Sequence, residues 1–307
     1  MEWKWQGVMP ALTTKFTAED TLDLELFAAN ILAQVEAGAS GVIVGGSLGE
    51  TSTLSQEEIG RLTTAALTTV AGEIPVIVNI AEQRTSDAIG AAEQAASLGA
   101  QGLMLLPPMR YKATSRETVA FFKAVAGATD LPVMIYNNPV DYGIEVTGDM
   151  FEELLDSCPT IQAVKESTRQ VSNVTLLRSR FGDRLSILTG VDTLALESLL
   201  MGADGWVAGL VCAFPRETVA VYALALAGRL EEARELYRWF MPLLELDISP
   251  QLVQNIKLAE VATGLGSEYV RLPRMPLAGA ERARVQAVID KALACRPELP
   301  YYKELVW

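Results

Sequence analysis

Histidine is absent from all 307 residues of this sequence. That gap removes Ser-His-Asp and Cys-His catalysis, histidine-ligated zinc and the 2-His-1-carboxylate iron site together. Proton transfer must then use Tyr, Lys, Asp, Glu, Cys or a group of the substrate. Cysteine is nearly absent as well. Cys158, Cys212 and Cys295 form an odd, scattered set, which implies a reducing compartment and no disulfide framework. Basic charge is scarce: 25 Lys and Arg stand against 38 Asp and Glu, a formal −13. Such a surface repels phosphate backbones and anionic membranes, so no nucleic-acid partner is expected. Aromatics make up only 7%, and Trp3, Trp5, Trp206, Trp239 and Trp307 show no spacing of a base-stacking surface. No long apolar run exists either, because the richest stretch, Leu194 to Phe214, is broken by Glu197 and Asp204. The N-terminal MEWKWQG lacks the charged-then-apolar order of a signal peptide. The expectation is a soluble, cytoplasmic protein with no membrane partner.

What is present is ample apolar material, 50% of the chain, with Gly (23) and Pro (14) at ordinary globular usage. Eight short apolar runs recur at even spacing: Val8–Phe16, Gly41–Ser47, Pro75–Ile80, Gly102–Pro107, Pro132–Asn137, Ile161–Glu166, Leu185–Gly190 and Gly205–Leu210. They are nearly continuous rather than alternating, as strands buried on both faces read in a parallel sheet. Helical patterns separate them. Ser55-Gln-Glu-Glu58 and Thr114-Ser-Arg-Glu117 fit the S/T-x-x-E capping box. Gly38, Gly72, Gly99 and Gly202 stand where helices should stop. The phrases EAGASGVIV, SLGAQGLML and LMGADGWVA repeat one helix-to-strand junction three times. No G-x-G-x-x-G follows the first strand, which disfavours an open dinucleotide-binding sheet. The fold class is therefore α/β, a (β/α)8 TIM barrel with an appended C-terminal helical cap. The barrel is expected over 1–227 and the helical extension over 228–307, built from Leu230–Leu246, Pro250–Thr263 and Glu281–Cys295.

In such a barrel the active site gathers at the C-terminal ends of the strands. Of eight lysines, Lys165 alone is placed by the pattern at the end of an apolar strand, the other seven reading as charged or loop positions. A desolvated ammonium has a lowered pKa, and its neutral amine attacks carbonyls. Lys165 therefore reads either as a Schiff-base nucleophile or as a buried structural ion-pair partner. Tyr136 ends the preceding strand and reads either as a proton shuttle or as a packed ring with a satisfied hydroxyl. The glycine-rich turn Gly45 to Glu50 offers Gly46 and Ser47 as a nest for a carboxylate, with Ser47 placed to bond Tyr136, or else is a tight turn and no more. Met104 and Met134 read as core filler. Asp141 and Asp192 are carboxylates near the site, too few to make a metal centre.

Taken in order, Gly46-Ser-Leu-Gly-Glu50, Tyr136-Asn-Asn-Pro139 and Lys165-Glu-Ser167 make the chain resemble the dihydrodipicolinate synthase / N-acetylneuraminate lyase family along essentially its whole length. The resemblance implies a covalent Schiff base between Lys165 and a 2-oxo acid, proton relay by Tyr136, and carboxylate binding by Gly46 and Ser47. It implies no metal or organic cofactor, and a homotetramer built as a dimer of dimers. Dihydrodipicolinate synthases carry an arginine where this chain has Asp141, and Leu48 replaces a hydroxyl residue. A tyrosine that reaches the neighbouring subunit's site in those synthases falls here at Arg110 or Tyr111, the possible proton relay.

These departures, with the stretch Gly202 to Pro215, resemble most the 1-pyrroline-4-hydroxy-2-carboxylate deaminase branch of hydroxyproline degradation. The implied substrate is a small 2-oxo acid or cyclic imino acid, converted to 2,5-dioxopentanoate and ammonia. Leu48, Asn138, Asp141, Gly190, Asp192 and Val211 are the expected substrate-binding residues. The alternatives are a 2-keto-3-deoxy sugar acid dehydratase, a pyruvate-dependent aldolase or dihydrodipicolinate synthase-like enzyme, and a non-catalytic barrel that senses a small acid.

Overall fold

The computed structural model describes residues 3–305, so Trp307 and the first two residues of the N-terminal stretch lie outside the described residues. Eight strands form its centre: β1 (Gly7–Pro10), β2 (Val42–Val44), β3 (Val76–Ile80), β4 (Gly102–Leu105), β5 (Val133–Asn137), β6 (Ile161–Glu166), β7 (Ser186–Thr189) and β8 (Gly205–Ala208). All pair in parallel in the order β1-β8-β7-β6-β5-β4-β3-β2. The remaining edge is joined by a parallel bridge of Ala11 with Ile43, and the Leu12 N–H donates to Ile43 O at 3.0 Å. This is the (β/α)8 barrel that the eight runs predict. Apart from Gln162 and the first residue of β7, every strand residue is buried. Neighbouring side chains cover the strands inside the barrel and helices cover them outside, so continuous apolar runs suit both faces.

Both capping boxes form. Ser55 accepts from the Glu58 N–H while Glu58 accepts from the Ser55 N–H, and Thr114 and Glu117 repeat the exchange. Gly38 and Gly99 cap their helices in the left-handed conformation, whereas Gly72 and Gly202 stand one residue past the caps Ala71 and Met201.

One apolar run is shorter as strand than its sequence indicates. Within Val8 to Phe16 the regular strand ends at Pro10, Ala11 and Leu12 keep single contacts to the sheet, and Thr13 and Lys15 turn to the helix Leu252–Thr263. There Glu260 accepts from Thr13 Oγ1 at 2.7 Å and from Lys15 Nζ at 2.6 Å. After β8, the helix Pro215–Leu226 completes the ring, Leu230–Leu244 packs against it, and Gly279–Ala294 packs against both Leu230–Leu244 and Leu252–Thr263. A short 3-10 turn, Glu245–Ile248, links two of these helices and passes the mouth of the barrel. Among the described residues no helix is long and apolar enough to cross a membrane.

Candidate active site

A cavity of about 470 Å³ opens at the C-terminal ends of the strands. Its walls include Gly46, Ser47 and Leu48 after β2, Tyr136 and Asn138 around the end of β5, Lys165 on β6, and Gly190 after β7. Asp141 joins them from the short helix Pro139–Tyr142, which Asn138 caps.

Lys165 and Tyr136 are brought side by side by a register shift. Val133 pairs with Ile161, and carrying that register forward would set Tyr136 opposite Val164. The shift between Val133 and Met134 sets Tyr136 opposite Lys165 instead. Lys165 Nζ stands 4.0 Å from the centroid of the Tyr136 ring. Glu166 takes the opposite side of the strand, where its carboxylate accepts from Asn173, Asn137 and the Thr168 N–H.

The sequence left two readings of Lys165, and the buried lysines bear on the choice. Lys15 and Lys257 are also fully buried, contrary to the expectation that the other lysines occupy charged or loop positions. Each of these two meets a buried glutamate at 2.6 Å, Glu260 and Glu50 respectively. Lys165, only 7% exposed, has no carboxylate within 4.0 Å and no hydrogen-bond partner among the described residues. Burial lowers its pKa from the ordinary lysine value, and the more distant Tyr142, Asp247, Asp192 and Asp141 oppose the shift without cancelling it. A glycine gives the side chain its room. A Cβ on Gly190 would come within 2.6 Å of Lys165 Cε and 2.2 Å of Ser167 Oγ.

Burial pushes the Tyr136 phenol up to about 12. Its hydroxyl accepts from Asn138 Nδ2 at 3.2 Å, and its ring meets Tyr142 edge-on at 5.4 Å. The predicted Ser47–Tyr136 bond is replaced: Ser47 Oγ pairs with Tyr142 Oη at 2.5 Å. The Asn138 cap starts a turn of helix at Pro139 and carries Tyr142 over the site, an effect that motif spacing alone does not display. The N–H groups of Ser47 and Leu48 make no hydrogen bond among the described residues, which leaves two backbone donors at the cavity wall. Glu50, the last residue of that turn, points away and is held by Lys257, by the Arg271 N–H at 3.0 Å and near Arg274.

Other predicted positions fall elsewhere. Asp192 is buried behind the wall, where its carboxylate accepts from Trp206 Nε1 at 2.9 Å and from the N–H groups of Gly209 and Leu210. Three donors at the β8 end hold it there, and it does not line the cavity. Val211 lies in the 3-10 turn Leu210–Cys212, fully buried, and its carbonyl accepts from Gln34 at 3.1 Å. Arg110 and Tyr111 are exposed and do not line this chain's cavity, because the loop after β4 turns outward and the Arg110 N–H is held by Gln83 at 2.8 Å. Met104, read as core filler, is buried and also lines the cavity.

Several cavity residues escaped the sequence reading as individual site groups, among them Tyr142, Ser167, Arg169 and Asp247. Tyr142 and Ser167 stood inside or just beyond quoted motifs. Arg169 follows β6 with φ +62°, a left-handed conformation uncommon for a non-glycine residue, and its Nη2 lies 3.4 Å from Asp141 Oδ1. Asp247 comes from the 3-10 turn Glu245–Ile248, far along the chain, and no local pattern marks it.

The family model of the dihydrodipicolinate synthetase family matches residues 4–292. A 4-hydroxy-tetrahydrodipicolinate synthase of Exiguobacterium sibiricum is 34% identical over 276 residues, covering 89% of this chain and 92% of that protein. Among solved structures, dihydrodipicolinate synthase from Aquifex aeolicus is similar with a TM-score of 0.89 and 30% identity, over 94% of this chain and 98% of that one. The chloride-inhibited dihydrodipicolinate synthase from Acinetobacter baumannii, solved with pyruvate, gives a TM-score of 0.88 at 27% identity, over 94% and 99% of the two chains.

Proposed function

The chain belongs to the dihydrodipicolinate synthetase family, and from that premise we propose that Lys165 is its Schiff-base nucleophile and 1-pyrroline-4-hydroxy-2-carboxylate its substrate. Enzymes of this family are class I aldolase-type lyases that work through a lysine Schiff base and need no metal or organic cofactor. Membership makes this protein an enzyme, which removes the sensor-barrel reading. The observation that carries the lysine assignment is the contrast among buried lysines: two are neutralised by glutamates, while Lys165 faces the cavity unpaired.

In this reading the neutral Lys165 amine attacks C2 of the cyclic imine, and the C2–N bond of the ring breaks. Tyr136 relays the protons, oriented by Asn138, while the Ser47 and Leu48 N–H groups receive the carboxylate. Loss of water from C4, hydrolysis of the C5 imine to aldehyde and ammonia, and hydrolysis of the Lys165–C2 Schiff base by a second water then give 2,5-dioxopentanoate and the free amine. The deaminase assignment draws support from the local resemblance, from Asp141 in the arginine position, and from apolar walls at Leu48, Met104, Val191 and Val207 that suit a short substrate.

A second reading, a synthase-like condensation of pyruvate with an aldehyde carrying a carboxylate, is favoured by Arg169. Its guanidinium stands against Asp141 and returns a positive group to the region the synthases' arginine occupies. Borohydride reduction during incubation with each substrate separates the readings. A five-carbon adduct on Lys165 from the pyrroline, with ammonia released in unreduced samples, is expected. An adduct with pyruvate alone, and turnover only when the aldehyde is added, would move the assignment to the synthase.

A further inference from the structure

Asp247 enters the cavity from outside the barrel, on the 3-10 turn Glu245–Ile248. Its carboxylate lies against the bare backbone at the end of β8. A Cβ on Gly209 would sit 2.3 Å from Asp247 Oδ1 and 3.2 Å from Oδ2, so any other residue there would displace it. Among the described residues it has no hydrogen bond, and no cation stands within 4.0 Å. Asp192, the other acidic group on this side, accepts three N–H donors. A half-buried carboxyl without protein partners in a cavity is left free to meet a ligand.

The titratable groups that face it come from three further elements. They are Asp192 after β7, Lys165 on β6 and Asp141 on the helix Pro139–Tyr142, and Tyr136 also feels its charge. Burial, reinforced by Asp192 and Asp141 and opposed by Lys165, raises its pKa well above the ordinary carboxyl value. The acid form is thereby favoured, as a proton donor requires.

We propose that Asp247 is a catalytic acid that protonates the hydroxyl leaving the substrate's C4, on the side of the cavity built by the C-terminal helices. The proposal rests on the dehydrating reaction assigned above. With C2 held by Lys165 and a proton removed from C3, the enamine electron pair forms the C3=C4 bond. The C4–O bond breaks with its pair on oxygen, and the Asp247 proton turns the departing hydroxide into water. The carboxylate so formed takes a proton from C5 as the double bond moves to C4=C5, while C3 recovers a proton from the group that first took it. The resulting C5 enamine, in its imine form, hydrolyses to aldehyde and ammonia.

The test compares the wild type with Asp247→Asn, checked for native circular dichroism, on 1-pyrroline-4-hydroxy-2-carboxylate. Ammonia release is expected to fall about 100-fold, the lower range of general-acid effects. Borohydride should still trap Lys165 at the wild-type rate, and the trapped adduct should retain the C4 hydroxyl, which its mass reports. The alkaline limb of the pH–kcat profile should vanish in the variant. Turnover within threefold of wild type, or equal loss of trapping and turnover, would overturn the assignment. A wild type inert toward the pyrroline would instead sink the deaminase reading. In that event a 2-keto-3-deoxy pentonate, which also loses its C4 hydroxyl, serves as substrate with the same expected split. Wild-type inactivity on both overturns the role of Asp247, since no hydroxyl is then lost.

Discussion

At the scale of single residues, the site depends on which buried charges are paired and which are not. Lys165 gives its chemistry a pH signature. Its pKa is lowered by burial, so the neutral amine appears as pH rises through a value below the roughly 10.4 of an ordinary lysine. The rate of borohydride trapping should climb with pH and level off below that value, and stopped-time mass spectrometry measures it. A plateau at or above the ordinary value would remove the desolvated nucleophile. Tyr136→Phe keeps the ring packed against Tyr142 and removes the hydroxyl. Turnover should drop on the order of 100-fold while the adduct on Lys165 still forms. Asp247 carries a stability signature of the opposite sign. Its folded pKa lies above the unfolded one, so the folded state binds more protons and loses stability as pH rises through the interval between them. Asp247→Asn removes that loss, and its melting temperature at neutral pH should exceed the wild type's, with none of the excess remaining below the unfolded carboxyl's pKa.

At the scale of elements, two glycines, Gly190 and Gly209, and one register shift decide whether these groups meet. Gly190 follows β7 directly and lies against the Lys165 stem. Gly190→Ala would force Lys165 and Ser167 off their positions, at a cost of about 1–3 kcal/mol in stability. Urea unfolding should show that loss, and trapping should fall further than stability alone explains. The strand runs and capping boxes were legible because helix and strand periodicity and N-terminal cap chemistry are local. The pairing of Tyr136 with Lys165 was not, because the shift at the start of the β5–β6 ladder depends on how two distant strands settle against each other. For the same reason Ser47 met Tyr142, whose place depends on the turn of helix that Asn138 starts.

At the scale of the whole molecule, the barrel and its C-terminal helices act as one body at the site. Two fully buried Lys–Glu pairs, Lys15–Glu260 and Glu50–Lys257, tie β1's exit and the glycine-rich turn to the helix Leu252–Thr263. Breaking one side leaves an uncompensated buried charge. Glu50→Gln should cost about 3–5 kcal/mol, read as a shift in the denaturation midpoint. Arg110 and Tyr111 are exposed and lie outside this chain's cavity. Tyr111, 56% exposed, is free to serve a neighbouring copy in the tetramer we propose from the family resemblance. Light scattering should then give four times the 33.2-kDa chain mass. Tyr111→Phe should lower turnover in the assembled enzyme, and an unchanged rate would assign the relay to this chain alone.

The sequence by itself determined the barrel, the family, and the strand ends that carry Gly46, Tyr136 and Lys165. Continuous apolar runs, cap chemistry and short motifs are properties of neighbouring residues, so they survive without a third dimension. Tertiary structure alone decided that Lys165 stands unpaired while Lys15 and Lys257 do not, and that Asp192 serves the wall. It also placed Arg169 beside Asp141 and brought Asp247 into the cavity from the C-terminal helices. Those outcomes depend on the distances between charges separated widely along the chain, and only packing sets such distances.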